Sequence, residues 1–131
     1  MTLVDTSVWI DWLRHGDRPA TLRLDRLIDE DDLVLAPVIV QELLMGARGA
    51  AQLEALRAHF DKMAVLMPTR RTFADAGSLY ARCRWAGITP RSPHDCLIAQ
   101  TAIEHGVALL HDDRDFELIA EVEPGLRLLR G

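Results

Sequence analysis

Short apolar runs, set apart by helix-patterned stretches, constrain this chain more than any other feature. Residues 2–4 (Thr-Leu-Val), 33–35 (Leu-Val-Leu), 65–67 (Val-Leu-Met), 107–110 (Val-Ala-Leu-Leu) and 126–129 (Leu-Arg-Leu-Leu) are too short for helices. They are apolar at successive rather than alternate positions, the pattern of strands buried on both faces. The stretches between them carry helical spacing: Val8, Trp9, Trp12 and Leu13 within 6–14, Leu24, Leu27 and Ile28 within 20–30, and Leu53, Leu56 and Phe60 within 51–62. Pro37 opens a helix to about residue 48, Gly87 stops one over 70–86, and Ser92-Pro93 and Gly106 bracket another, with a short helix over 115–121. Strands alternating with helices predict an α/β fold with a parallel sheet covered by helices. The 131 residues suit one domain spanning 1–131, large enough to bury a core without disulfides or structural metal.

In such sheets ligands bind beyond the carboxyl ends of the strands, near the point where strand order reverses. Acids occupy those positions here. Asp5 follows the first run, Glu42 lies in the second turn of the helix after the second, and Asp112, Asp113 and Asp115 follow the fourth. Asp95 stands at the start of the helix leading into that fourth run. Each has an ordinary use: Asp5 and either Asp112 or Asp113 as helix caps, Ser92 to Asp95 as a capping box, Glu42 on a solvated face. Together they say more, because a parallel sheet brings the carboxyl ends of all its strands to one edge. Like charges gathered there repel by about 4 kcal/mol per pair at ~4 Å and an effective dielectric of 20. Hard divalent cations, which prefer oxygen ligands, relieve that repulsion, and two of them can hold both the attacking and the leaving oxygen of a phosphodiester.

The segments that carry these acids are Leu-Val-Asp5-Thr6-Ser7, Pro37-Val-Ile-Val-Gln-Glu42-Leu-Leu-Met-Gly46, His94-Asp95-Cys-Leu-Ile-Ala99 and Leu110-His-Asp-Asp113-Arg-Asp115-Phe116. Their order resembles that of PIN-domain ribonucleases, and the length resembles the VapC-type toxins of type II toxin–antitoxin pairs. The resemblance covers essentially the whole chain. It implies a three-layer α/β/α fold with a five-stranded parallel sheet in the order 3-2-1-4-5. It implies a metal-dependent endoribonuclease that cuts structured RNA (transfer or ribosomal) through a water activated by one or two Mg²⁺ or Mn²⁺ ions, leaving 5′-phosphate and 3′-hydroxyl ends. Position by position, Asp5, Glu42, Asp95 and Asp113 match the family's acidic quartet. Thr6 and Ser7 match its hydroxyl position, and Asp115 matches a further, supporting acid. His111 departs from the Thr that many relatives carry; a structural role and a partnership with a carboxylate both stay open. Asp112 rivals Asp113, whose spacing to Asp115 and Phe116 fits the family better. The resemblance also implies a homodimer and a small VapB-like antitoxin, whose C-terminal segment blocks the acidic site with a basic side chain.

A net charge of −5 opposes an RNA substrate. Bound divalent ions would offset four of those charges, and the basic residues are arginines apart from Lys62. Arg70, Arg71, Arg82, Arg84 and Arg91 lie on or near one helix and its exit, where they either form a solvated face or grip phosphate. Trp9, Trp12 and Trp85 read as core or interface residues rather than base-stacking platforms. Cys83 and Cys96 lack metal-binding spacing and read as packing residues of a reduced, cytoplasmic protein. No segment has the charge and apolar pattern of a signal peptide or the length of a membrane span. Competing α/β sites fit poorly. A phospho-receiver needs a lysine near its acids, whereas Lys62 precedes the third run; a haloacid-dehalogenase-type phosphatase needs an acid where Ser7 stands. The remaining alternative is a catalytically silent PIN-like module that holds RNA or metal without cutting.

Overall fold

A computed structural model describes residues 1–131. In chain order the elements are β1 (Thr2–Val4), α1 (Thr6–Leu13), α2 (Pro19–Asp29), β2 (Leu33–Val34), α3 (Pro37–Met45), α4 (Ala50–Phe60), α5 (Arg70–Trp85), α6 (Pro93–His105), β3 (Ala108–Leu110), α7 (Arg114–Val122) and β4 (Leu128–Leu129). The four strands form a wholly parallel sheet in the order β2-β1-β3-β4. β1 is central: Leu3 faces Val34 on one side and Leu109 on the other. All three residues of β1 are buried, as the continuous apolar run requires of a strand covered on both faces.

The five-stranded expectation needs one correction. Residues 65–67 make no strand; Val65 forms a single parallel bridge to Leu35 beside β2. Two hydrogen bonds hold it there, from Leu35 N to Ala64 O and from Leu66 N to Leu35 O. Pro68 lacks an N–H and stops the ladder, and Val65 and Met67 remain exposed, so nothing rewards a longer pairing. The predicted order 3-2-1-4-5 is otherwise the observed one, with that bridge in the outer position. The last strand also shrinks, from 126–129 to Leu128–Leu129. Leu53, expected to face inward, is exposed, and α4 buries only Phe60.

Helix boundaries follow local chemistry. Pro19, Pro37 and Pro93 each open a helix, where the missing N–H costs nothing. Gly87 and Gly106 sit at φ values of 80° and 64°, which a side chain would oppose. Around each, two backbone bonds close the helix end: Ile88 N to Cys83 O with Gly87 N to Arg84 O, and Val107 N to Ala102 O with Gly106 N to Ile103 O. This is the Schellman arrangement, and it turns α6 directly into β3.

A continuous core of 26 buried residues joins the sheet to its helices. Trp9 anchors it, meeting Phe60 edge-on at 5.3 Å and Trp12 at 5.6 Å. Trp12 is half-buried and donates from Nε1 to Asp25, whereas Trp85 is exposed. Helices α1 to α4 pack as one group and α5 to α7 as another, and the two meet where α3 touches α6. That meeting line lies beside the carboxyl ends of β1 and β3, where strand order reverses. Asp5 N bonds there to Leu110 O at 2.9 Å, tying the exit of β1 to the end of β3.

Candidate active site

Four elements deliver acids to this edge. Asp5 leaves β1 and caps α1, accepting from Ser7 N at 3.3 Å and from Ser7 Oγ at 2.6 Å. Its carboxyl is almost completely buried. Glu42 projects from the second turn of α3, and its Oε1 accepts from Thr6 Oγ1 at 2.8 Å. Asp95 stands in the first turn of α6. Asp113 follows β3 and caps α7, accepting from Asp115 N at 2.9 Å. Capping and site roles thus coincide at Asp5 and Asp113. They separate at Asp95: Ser92 Oγ caps α6 by accepting from His94 N at 3.2 Å, which leaves the Asp95 carboxylate free for the cleft.

Asp95, Asp113 and Asp115 each offer a carboxylate oxygen, and these lie within 4.8 Å of one another. Asp115, expected to support the site, thus lies in one cluster with Asp95 and Asp113. Asp5 and Glu42 flank it, close enough for both charges to act on Asp95. Asp112 pairs with Arg18 at 2.7 Å, and it is Asp113, not its neighbour, that lies in the cluster.

The electrostatics register this crowding. Burial pushes the Asp5 carboxyl up to about 6, against the lowering effect of Ser7 and Thr6 hydrogen bonds, and the Glu42 charge adds to the rise. Asp95 is pushed up to about 7, first by burial and then by Asp5, Asp113, Asp115 and Glu42. Asp115 goes the other way. Burial favours its neutral form, but Arg91 outweighs this, donating from its backbone N at 3.0 Å and from Nε at 3.1 Å. The same guanidinium donates from Nη2 to Asp113 at 2.8 Å. Arg91 thus places a positive charge directly on the acidic cluster.

His111 is buried at the end of β3, and its Nδ1 accepts from Asp113 N at 3.1 Å. That bond places the ring proton on Nε2, which has no partner. Burial holds the imidazole below its ordinary pKa, so it acts as a neutral brace for the loop that carries Asp113. His94, quoted only as part of a motif at the sequence level, places Nδ1 3.5 Å from Glu42 Oε2. Nothing in its sequence position signals that contact, which exists because α3 packs on α6.

The expected arginine patch is dispersed. Arg70 and Arg71 open α5, while Arg82 and Arg84 lie near its end, roughly 18 Å away at 1.5 Å per residue. Arg71 pairs with Asp75, Arg82 with Glu123, and Arg84 lies over the Tyr80 ring.

An all-oxygen cluster of this kind suits hard divalent cations such as Mg²⁺ or Mn²⁺ rather than zinc, since no Cys or neutral His joins its ligating oxygens. Burial first, and then the neighbouring carboxylates, favour the neutral forms of Asp5 and Asp95; a bound cation would favour their ionised forms, so the residues present fit one.

Comparison with known proteins agrees. The PIN domain profile matches residues 2–122. The VapC ribonuclease Mb1587 of Mycobacterium bovis and ribonuclease VapC11 of Mycobacterium tuberculosis are each 34% identical to this chain, with 93% of both partners covered. Among solved structures, VapBC2 from Rickettsia felis bound to a promoter DNA fragment superposes with a TM-score of 0.76 at 19% identity, covering 98% of this chain and 97% of that one. DNA-bound VapBC from Salmonella typhimurium gives 0.75 at 21% identity, covering 98% and 96%. At those identities the superpositions speak for the fold, and the sequence matches speak for kinship. The chain belongs to the PIN-domain family, alongside its VapC ribonucleases.

Proposed function

We propose that this chain is a divalent-metal-dependent endoribonuclease and the toxin half of a VapBC-type pair. The observation that carries the reading is the convergence of Asp5, Glu42, Asp95, Asp113 and Asp115 on one sheet edge, with two of the carboxyls lifted to about 6 and 7. The named ribonuclease relatives support the reaction class, and the toxin–antitoxin complexes among the structural neighbours support a VapB-like partner.

Asp5, Asp95 and Asp113 would hold Mg²⁺ or Mn²⁺, with Glu42 and Asp115 beside them. When bound, such an ion supplies a water acidified for attack and charge neutralisation at the phosphate. The chain's own groups do the positioning. Ser7 Oγ fixes one oxygen of Asp5, and Thr6 Oγ1 fixes one oxygen of Glu42, so each carboxylate keeps a defined free edge. His111 sets the backbone from which Asp113 projects. Burial of Asp5 keeps bulk water from its carboxyl and strengthens its charge interactions with the half-buried Asp95.

Arg91 spans Asp113 and Asp115 and so competes with a cation for the same oxygens. Arg91→Ala is expected to bind Mn²⁺ roughly two- to fivefold more tightly, since an exposed ion pair is worth at most about 1 kcal/mol. Calorimetric titration checks this, and weaker binding would show that Arg91 organises the acids rather than competing for them. The antitoxin reading uses the same logic: a basic side chain presented by a partner neutralises the cluster and excludes the metal.

The reaction itself is tested by end chemistry. Antitoxin-free protein, total cellular RNA and Mg²⁺ or Mn²⁺ should yield discrete fragments with 5′-phosphate and 3′-hydroxyl ends, the products of water attack with departure of the 3′ oxygen. Fragments ending in 2′,3′-cyclic phosphate would come from attack by the ribose hydroxyl and would refute the proposed chemistry.

A further inference from the structure

The arginines of this chain divide into engaged and free. Arg18, Arg71, Arg82, Arg91 and Arg130 each hold an acid: Asp112, Asp75, Glu123, Asp113 with Asp115, and Glu117. Arg14, at the end of α1, and Arg48, in the turn after α3, are among those that hold none, and both are exposed. They line one cleft of about 350 Å³, the size of a small ligand site.

That cleft adjoins the acidic edge through one residue. Glu42 forms part of its wall, and the same Glu42 is bonded through Oε1 to Thr6, next to Asp5. Glu42 is also the cleft's one acid, and it is already engaged by Thr6 and approached by His94. Two guanidinium groups therefore share a concave surface without acids of their own to neutralise them. Apolar Ile10, Leu13, Leu43 and Leu56 line the same cleft. An anion with an apolar or planar part answers both features, and an RNA strand leaving the acidic edge carries both phosphate and base. Arginine's planar fork matches two phosphate oxygens at once, which a lysine cannot reproduce.

We propose that Arg14 and Arg48 hold the RNA backbone phosphates that flank the scissile bond on the Glu42 side of the site. This rests on the ribonuclease reading above and adds the path of the strand to it. It also replaces the sequence-level candidates on α5, which are dispersed and largely engaged.

The test uses the full chain. A synthetic labelled RNA spanning a cut found in total RNA is bound, by fluorescence anisotropy, to Asp5→Asn protein and to the same protein carrying Arg14→Ala, Arg48→Ala or both. Each substitution should weaken binding about tenfold at moderate salt. The slope of log affinity against log salt should fall by about 0.7 per lost contact, so by roughly 1.4 in the double variant. In otherwise wild-type protein the same changes should raise KM far more than they lower kcat, and Arg14→Lys with Arg48→Lys should restore most of the salt slope. Arg26→Ala controls for net charge, because Arg26 lines a cleft with Thr2 and Asp32 at the opposite end of β1. An unchanged slope in the double variant, or an equal loss in Arg26→Ala, would overturn the proposal while leaving the ribonuclease reading intact. So would a loss confined to affinity for a protein partner, which would assign the cleft to that partner. Wild-type protein that cuts no RNA would remove both readings together.

Discussion

Asp5→Asn is expected to cut Mg²⁺-supported RNA cleavage by roughly a hundred- to a thousandfold, the usual cost of deleting one organising charge from such a site. The fold should survive the change. Asparagine caps helices as well as aspartate does, so Ser7 and the start of α1 keep their partner. Asp95→Asn should have the same effect for a clearer reason: Ser92, not Asp95, caps α6, so that substitution removes charge and nothing else. Asp112→Asn is the internal contrast. Its carboxylate pairs with Arg18 on the exposed side, where an ion pair is worth about 0–1 kcal/mol, and cleavage should change less than about twofold. Rates at saturating metal, with circular dichroism to confirm folding, distinguish these outcomes. Loss in Asp112→Asn with activity kept in Asp113→Asn would reverse the assignment.

The second large effect is on stability, and its sign follows from the direction of the shifts. Asp5 and Asp95 have folded pKa values of about 6 and about 7, above the ordinary 3.8. The folded state therefore binds these protons more tightly than the unfolded chain does. The contribution is fully present below pH 3.8 and is lost as pH rises through about 6 and then about 7. For the buried Asp5 this amounts to about 3 kcal/mol by pH 8; the more exposed Asp95 adds less than its shift suggests. His111 works in the opposite direction, because its depressed pKa costs stability as pH falls below its ordinary 6.5. Comparing variants at one pH cancels that opposing term. In EDTA, Asp5→Asn/Asp95→Asn should melt roughly 10 °C above wild type at pH 8, about half as far above it at pH 5, and level with it only below about pH 4. Saturating Mn²⁺ should close the gap at pH 8 by stabilising wild type alone. Equal melting temperatures in EDTA at pH 8 would mean the acids do not burden the metal-free fold.

Much of this site is legible in the sequence, because its positions are tied to strand exits. Asp5 and Asp113 follow apolar runs whose neighbours in the sheet are dictated by parallel pairing, so their meeting follows from topology. Asp95 was legible through a cap that Ser92 turned out to supply alone. What the sequence concealed depends on packing between elements distant in the chain. The third apolar run looked like the others, yet Pro68 and the exposure of Val65 and Met67 reduce it to one bridge. Asp115 shares a helix turn with Asp113, and only Arg91, 24 positions earlier, fixes where its carboxylate points. The arginines misled for the same reason. Proximity along α5 suggested a patch, but a helix spreads residues 12 apart over roughly 18 Å, and their acidic partners come from other segments. Arg14 and Arg48, 34 positions apart, share a cleft that no local pattern announces.

The most direct test of the central claim is one gel. Antitoxin-free wild-type protein and Asp5→Asn protein are incubated with total cellular RNA in Mg²⁺ or Mn²⁺, each with and without EDTA. Discrete fragments from wild type in metal alone, absent with EDTA and absent from Asp5→Asn, are the predicted result. Fragments that persist in EDTA or in Asp5→Asn, or intact RNA in every lane from folded protein, would contradict a metal-dependent ribonuclease built on these acids.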